Sequence, residues 1–124
     1  MYYEELALEV NATIAGLDVT KPPVLRGKSG VEHRFAFLAA DGSTRYGFDV
    51  CPQVGEIEIL RAFVKKLDTG VEAFVVCLSG RPSPEGKELS AKYGIKVLSP
   101  GDVGDFFSRR ISEQIRVPGR SKSA

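Results

Sequence analysis

Apolar positions three and four residues apart open the chain. Tyr3, Leu6, Val10 and Ile14 recur at helical spacing, which predicts a helix over residues 2–15 with these four on its buried face. Gly16 follows, where a left-handed backbone can close a helix. Leu17-Asp18-Val19 reads as extended, and Pro22-Pro23 forbids helix just beyond it. After the tight basic loop Arg26-Gly27-Lys28-Ser29-Gly30, residues 31–40 alternate as a strand, with His33, Phe35 and Phe37 on one face. Asp41-Gly42 signals a hairpin turn, and residues 45–51 return as its second strand until Pro52 stops it.

The second half alternates between the two periods. Residues 55–67 predict a helix whose apolar stripe is Ile57, Leu60, Val64 and Leu67, ended by Gly70. Residues 72–78 are almost continuously apolar, the mark of a strand covered on both faces. Ser83-Pro84-Glu85 carries three helix-start features: a capping hydroxyl, a first-turn proline and an acid at the positive end of the dipole. That helix ends at Tyr93-Gly94, and residues 95–98 form a last short strand. Ser99-Pro100-Gly101-Asp102 then opens a helix through Val103, Phe106, Phe107 and Ile111. Residues 1–111 read as one domain, and 112–124 as a basic, flexible tail or an arm that orders on a partner. The predicted order is α-β-β-α-β-α-β-α. Its β-α-β-α run requires right-handed crossovers, and hence a mixed sheet with helices on both faces.

Composition narrows the classes. With 124 residues, 43% apolar and 27% charged, the chain is an ordinary soluble domain that needs no disulfide or metal to fold. Seventeen Lys and Arg against sixteen Asp and Glu give a net charge of +1, so any nucleic-acid contact must come from a local patch. Cys51 and Cys77 lie in apolar runs without metal-ligand spacing and read as buried thiols in a reducing compartment. Met1-Tyr2-Tyr3-Glu4-Glu5 puts acids where a signal peptide is basic, and no apolar run approaches the ~20 residues of a membrane span. A cytoplasmic protein, with no membrane partner, is expected.

The stretch from Arg26 to Phe35, with its Gly27-Lys28-Ser29-Gly30 loop, resembles a known loop and first core strand. They belong to the Mrr-like and junction-resolvase-like branches of the PD-(D/E)xK restriction-endonuclease-like superfamily. Residues 45–52 resemble the second strand, where the acid-x-Lys signature lies, and residues 93–97 resemble the turn into the last core strand. The resemblance covers about residues 3–111 and implies a three-layer α/β/α fold with a mixed central sheet. In that family an acid on each of two adjacent strands holds a divalent metal, and a lysine helps orient the attacking water. Alternate strand residues share a face, so acid-x-Lys presents both groups together.

The family pattern is broken in this chain. Ala36 stands near the place of the first acid, Asp49 stands for the second, and Cys51 occupies the lysine position. The resemblance therefore implies an impaired or absent catalytic site. It also implies routes to a relocated one. Glu5 or Glu9 on the first helix could supply a metal ligand, Lys65 or Lys66 on the second helix a cation, and magnesium is the cofactor if cleavage survives. Read as residues alone, those helix charges are solvated side chains, whereas Asp49 is an unusual strand residue suited to a site or a structural hydrogen bond. His33, the sole histidine, fits either a phosphate contact or a half-buried structural role. Arg26 and Lys28 flank glycines whose amides could meet a phosphate, although no GxxxxGK[ST] loop exists.

Three functions fit these features. The first is a nucleic-acid-binding protein, on DNA or RNA, derived from a nuclease fold without effective cleavage. Arg26, Lys28, His33 and the basic residues Arg109, Arg110, Arg116, Arg120 and Lys122 motivate it. The second is a structural or regulatory interaction module, such as a homodimer, which an exposed apolar patch would favour. The third is a metal-dependent, phosphodiester-cleaving nuclease with relocated groups.

Overall fold

The computed structural model describes the backbone of residues 3–119 and the side chains of residues 7–109. It is a mixed α/β fold of four helices around a five-stranded sheet, with a separate two-stranded ribbon. Helix α1 (Tyr3–Ile14) leads to β1 (Asp18–Val19), and β2 (Val24–Arg26) pairs antiparallel with β3 (Glu32–Arg34) as the ribbon. The β4 (Phe37–Asp41) and β5 (Thr44–Cys51) hairpin follows, then α2 (Glu56–Thr69), β6 (Glu72–Cys77), α3 (Pro84–Tyr93), β7 (Lys96–Leu98) and α4 (Pro100–Gly119). The sheet order is β1-β4-β5-β6-β7, antiparallel as far as β5 and parallel from β5 to β7. The parallel half follows from the intervening helices, which bring each chain end back to the same edge.

Alternation along the central strand divides the core. Phe74 and Val76 of β6 face a layer formed with Leu8, Ala12, Phe48, Val103 and Phe107, beneath α1 and α4. Ala73, Val75 and Cys77 face the opposite layer with Leu38, Ile59, Ala62 and Ile95, beneath α2 and α3. Phe48 is fully buried at the centre of the first layer, stacked on Phe74 at 4.7 Å and on Phe107 at 5.9 Å. Local signals hold well. Gly70 and Gly94 adopt left-handed angles at the ends of α2 and α3, and the Ser83 hydroxyl accepts from Gly86 N at 3.0 Å.

Four expectations need correction. In the stripe assigned to α1, Val10 and Ile14 are exposed, and Leu8, Ala12 and Ala15 are buried instead; the side chains of Tyr3 and Leu6 lie outside the described residues. The two alanines let α1 lie close to the sheet and α4. The stripe assigned to α2 also faces outward, since Ile57, Leu60, Val64 and Leu67 are exposed while Ile59 and Ala62 are buried. The strand expected over residues 31–40 is two strands. Phe35 N donates to Pro23 O and Ala36 N to Phe48 O, so the chain leaves the ribbon and joins the sheet at this step. Phe35 and Phe37 consequently lie in opposite layers. Finally, β2 was not expected after the prolines; its partner β3 supplies the register that makes it a strand.

At the start of the last helix the Asp102 carboxylate accepts from Ser99 N at 3.2 Å. The helix backbone continues through the segment read as a tail, as far as Gly119. Arg120 and Lys122 lie outside the described residues, as do the side chains of Glu5, Arg110 and Arg116. No helix among the described residues is long and apolar enough to cross a membrane.

Candidate nucleic-acid interface and candidate active site

Two neighbouring clusters gather the sequence-derived candidates, both held by α2. The first is built on β5. The β4–β5 register ends where Phe37 pairs with Phe48, and Ala36 N donates to Phe48 O at 2.9 Å, so Ala36 leaves the ladder there. Alternation directs Gly47, Asp49 and Cys51 to the α2 side of the sheet. Gly47 leaves room there for the Phe35 ring: a Cβ at this position would lie 2.6 Å from it. Lys65 reaches down from α2 over that ring, its ammonium 4.8 Å from the centroid. It donates to the two Asp49 oxygens at 3.0 and 3.1 Å and to Arg34 O at 2.6 Å.

The structure thus brings Asp49 and Lys65 together. Both Asp49 oxygens face an ammonium. Among the described residues no group of three His, Cys, Asp or Glu is placed to hold a metal. These residues do not fit a divalent ion. Glu9 lines a hollow with Ala36 and Phe37, but its carboxylate is ion-paired with Lys21 at 2.7 Å. The Cys51 thiol is raised above the ordinary value by burial, then by Asp49 and Glu58, outweighing Arg61 and Lys65. A protonated thiol is neither cation nor nucleophile. Cys51 is accordingly expected to react with iodoacetamide at neutral pH more slowly than a free thiol in a peptide, as mass-spectrometric time courses would show.

The second cluster centres on Asp68, which was not singled out from the sequence. Its carboxylate accepts from Ser29 N at 2.9 Å and from Ser29 Oγ at 2.6 Å, with His33 Nε2 2.7 Å away. Lys28 N donates to Asp68 O at 2.9 Å, and Gly27 N and Gly30 N bond within the loop. A Cβ at Gly27 would collide with the Asp68 carboxylate, so glycine is needed for the close approach. Here one loop amide, Ser29 N, already serves an anion, the protein's own aspartate, and the amides of Gly27, Lys28 and Gly30 serve backbone carbonyls. Ser, His and Asp form no hydrolytic relay, because serine and histidine both meet the aspartate rather than each other.

Hydrogen bonds from the Ser29 hydroxyl, His33 and Ser29 N hold the Asp68 carboxyl down to about 2 from an ordinary 3.8. Because the folded value is depressed, its stabilisation is full above pH ~4 and fades as pH falls towards 2. Asp68→Asn should therefore lose stability near neutrality and show a shallower decline below pH ~4. Thermal midpoints of both proteins across that range would check it; parallel curves would exclude this contribution.

The loop and ribbon present the remaining candidates. Direct partners in an antiparallel pair share a face. Leu25 and His33 point inward, to the core and to Asp68, and Val24, Arg26, Glu32 and Arg34 point outward. Arg26, Lys28, Glu32 and Arg34 are exposed, and no ion pair within the described residues claims them. Three cations and one acid thus share one rigid outer surface. Arg34 was missed in the sequence because its face depends on the unanticipated pairing with β2.

A cleft of about 370 Å³ lies at the ends of β5 and β6, lined by Gln53, Gly55, Glu58, Arg81 and Ser83. Its helix starts are already capped, α2 by Glu58 Oε1 accepting from Gly55 N at 2.8 Å and α3 by Ser83.

No family model and no curated protein matches this chain. Among solved structures it is similar to the crystal structure of AF1548, a protein of unknown function, with a TM-score of 0.61 and 19% identity. The match covers 77% of this chain and 57% of that one, so the chain spans little more than half the length of its structural relative. The likeness shows a shared α/β fold.

Proposed function

We propose that this chain is a cleavage-deficient, restriction-endonuclease-like domain that binds nucleic acid through its β2–β3 ribbon. The carrying observation is the outward face of that ribbon, where Arg26, Arg34 and the tip residue Lys28 stand exposed with Glu32 as the sole acid. A two-stranded ribbon fits the width of a nucleic-acid groove, and exposed cations on a rigid frame exchange condensed counterions for phosphate contacts. The ribbon's other side is fixed to α2 through His33 and Asp68, so little order has to be gained on binding. The small net charge of +1 is compatible with this, because the positive charge is local.

Absence of cleavage is supported by the β5 cluster. Asp49 is neutralised by Lys65, so a metal would have to displace a lysine and work with a single carboxylate. Contact with phosphates then proceeds without metal-dependent chemistry, and the ion pair is the structural remainder of a site.

Anisotropy titrations of duplex, branched and single-stranded probes at several salt concentrations test the reading. Binding should weaken with salt, and the variant Arg26→Ala/Lys28→Ala/Arg34→Ala should lower the slope of log K against log salt by roughly 3. An unchanged slope in that variant, or no binding of any probe at low salt, would reject the ribbon as the contact.

A further inference from the structure

Strands β5 and β6 each end on a cysteine. Cys51 and Cys77 are the last residues of the two strands, and the parallel register makes them direct partners. Both side chains enter the layer beneath α2, Cys77 within it and Cys51 packed against it. Both are free thiols, Cys77 fully buried and Cys51 half-buried. Neighbouring strands run ~4.7–4.9 Å apart, and a disulfide joins Cα atoms separated by ~4.4–6.8 Å. The strand pair therefore holds the two cysteines side by side, on one face, within the span of a disulfide.

We propose that Cys51 and Cys77 are a modification site, forming a reversible intrachain disulfide by exchange with a small disulfide such as oxidised glutathione. Their unequal burial assigns their roles. Cys51 is the thiol that an oxidant in solvent can reach. Its thiolate attacks one sulfur of the oxidant, forms a mixed disulfide and releases one glutathione thiolate. Cys77, beside it in register, gives up its proton and attacks the Cys51 sulfur, which closes the Cys51–Cys77 bond and releases the second glutathione thiolate. The Ser79 hydroxyl, 3.2 Å from Cys77 Sγ, lines the open cleft and offers that proton an acceptor. Both protons end on the released thiolates, so two protein thiols are oxidised and one glutathione disulfide is reduced. A resolving thiol next to an accessible one carries oxidation through to a disulfide rather than leaving an adduct.

The same geometry makes the bond reversible. Two hydrogen-bonded strands fix both ends of the bridge, and a disulfide that cannot relax is more readily reduced. Burial raises the Cys51 thiol, so little thiolate is present at neutral pH, and exchange quickens as pH rises. The closed bond makes a ring of chain that contains the whole of α2, with Lys65 and Asp68 on it. Oxidation thus acts on the helix that anchors both clusters. The inference does not depend on the nucleic-acid reading, since neither cysteine belongs to the ribbon.

Mass spectrometry of the full chain tests it, after the reduced, folded protein has been held in glutathione buffers of graded oxidised-to-reduced ratio. Samples are quenched in acid, unfolded and labelled with N-ethylmaleimide. As the ratio rises, the doubly labelled protein should give way to an unlabelled species two hydrogens lighter, and dithiothreitol should restore the thiols. Its digest should contain the Cys51 and Cys77 peptides joined, and conversion should be faster at alkaline than at neutral pH. Cys77→Ala should stop at a glutathione adduct on Cys51, and folded Cys51→Ala should stay unmodified, because Cys77 has no solvent exposure. A wild type that keeps both thiols across the range, or stops at the adduct, would overturn the proposal. A bridge that forms only in denaturant, or one that joins two molecules on a non-reducing gel, would overturn it equally. The wild-type readouts decide the matter even where a variant fails to fold.

Discussion

Replacing Phe48 with alanine is expected to destabilise the protein more than any other single truncation, by about 3–5 kcal/mol. The ring has no solvent exposure and lies between three layers of aromatic contact. Phe74 stacks on it from β6, Phe107 and Phe106 meet it from α4, and Phe37 approaches edge-on at 5.8 Å. Alanine would lose the transfer energy of the ring and leave a cavity that two strands and a helix cannot readily close. Domains of this kind hold ~5–15 kcal/mol in total, so a large part of the stability would go. Thermal unfolding should shift down by roughly 10–20 °C, and a shift of only a few degrees would show that the first core layer is looser than described.

The second large effect concerns the ion pair, and its signature is asymmetry. Lys65 and Asp49 are 13% and 18% exposed, so each is largely withdrawn from water and relies on the other. Lys65→Met should cost about 1–3 kcal/mol, because Asp49 keeps its charge while Arg34 O loses a donor. The double variant Asp49→Leu/Lys65→Met removes both charges and should recover a substantial part of that loss. Denaturant midpoints of the single and double variants give the coupling directly. A double variant worse than the sum of its singles would mean that Asp49 has a further partner. If magnesium raised the wild-type midpoint, the residues would fit a metal after all.

What the sequence disclosed and what it hid divide along one physical line. Features fixed by a few adjacent residues were legible: the hairpin after residue 40, the serine cap at Ser83, the glycine ends at Gly70 and Gly94, and the doubly covered strand of residues 72–77. Their causes are local, a hydroxyl within reach of an amide or a backbone angle that only glycine tolerates easily. Which face of a helix turns inward was not legible. In α2 both Ile57-Leu60-Val64-Leu67 and Ile59-Ala62-Phe63 form helical stripes, and periodicity cannot order two stripes by depth. The larger residues read as core, yet they stand outside, where another surface can cover them.

The same limit applied to the sites. Asp49 and Lys65 were both legible as candidates, and their meeting follows once β5, the connection and α2 form a right-handed crossover. Asp68 was not, because nothing near it in sequence shows that an aspartate on the last turn of α2 will answer a loop 39 residues earlier. Arg34 was hidden for a related reason: a strand's outward face is defined only by its partner, and β2 lay behind two prolines. The loop's glycines invited a phosphate reading; their amides bond Val31 O and Gly27 O, and the Asp68 carboxylate takes the amide of Ser29 between them.

The measurement that bears most directly on the whole account is paired electrophoresis of one sample. Labelled duplex, branched and single-stranded probes are incubated with the protein in magnesium and in manganese, then run under native and denaturing conditions. A mobility shift on the native gel with intact strands on the denaturing gel is the expected result. Strand cleavage that disappears in Asp49→Ala, or no shift with any probe, would contradict a nuclease-like domain that binds without cutting.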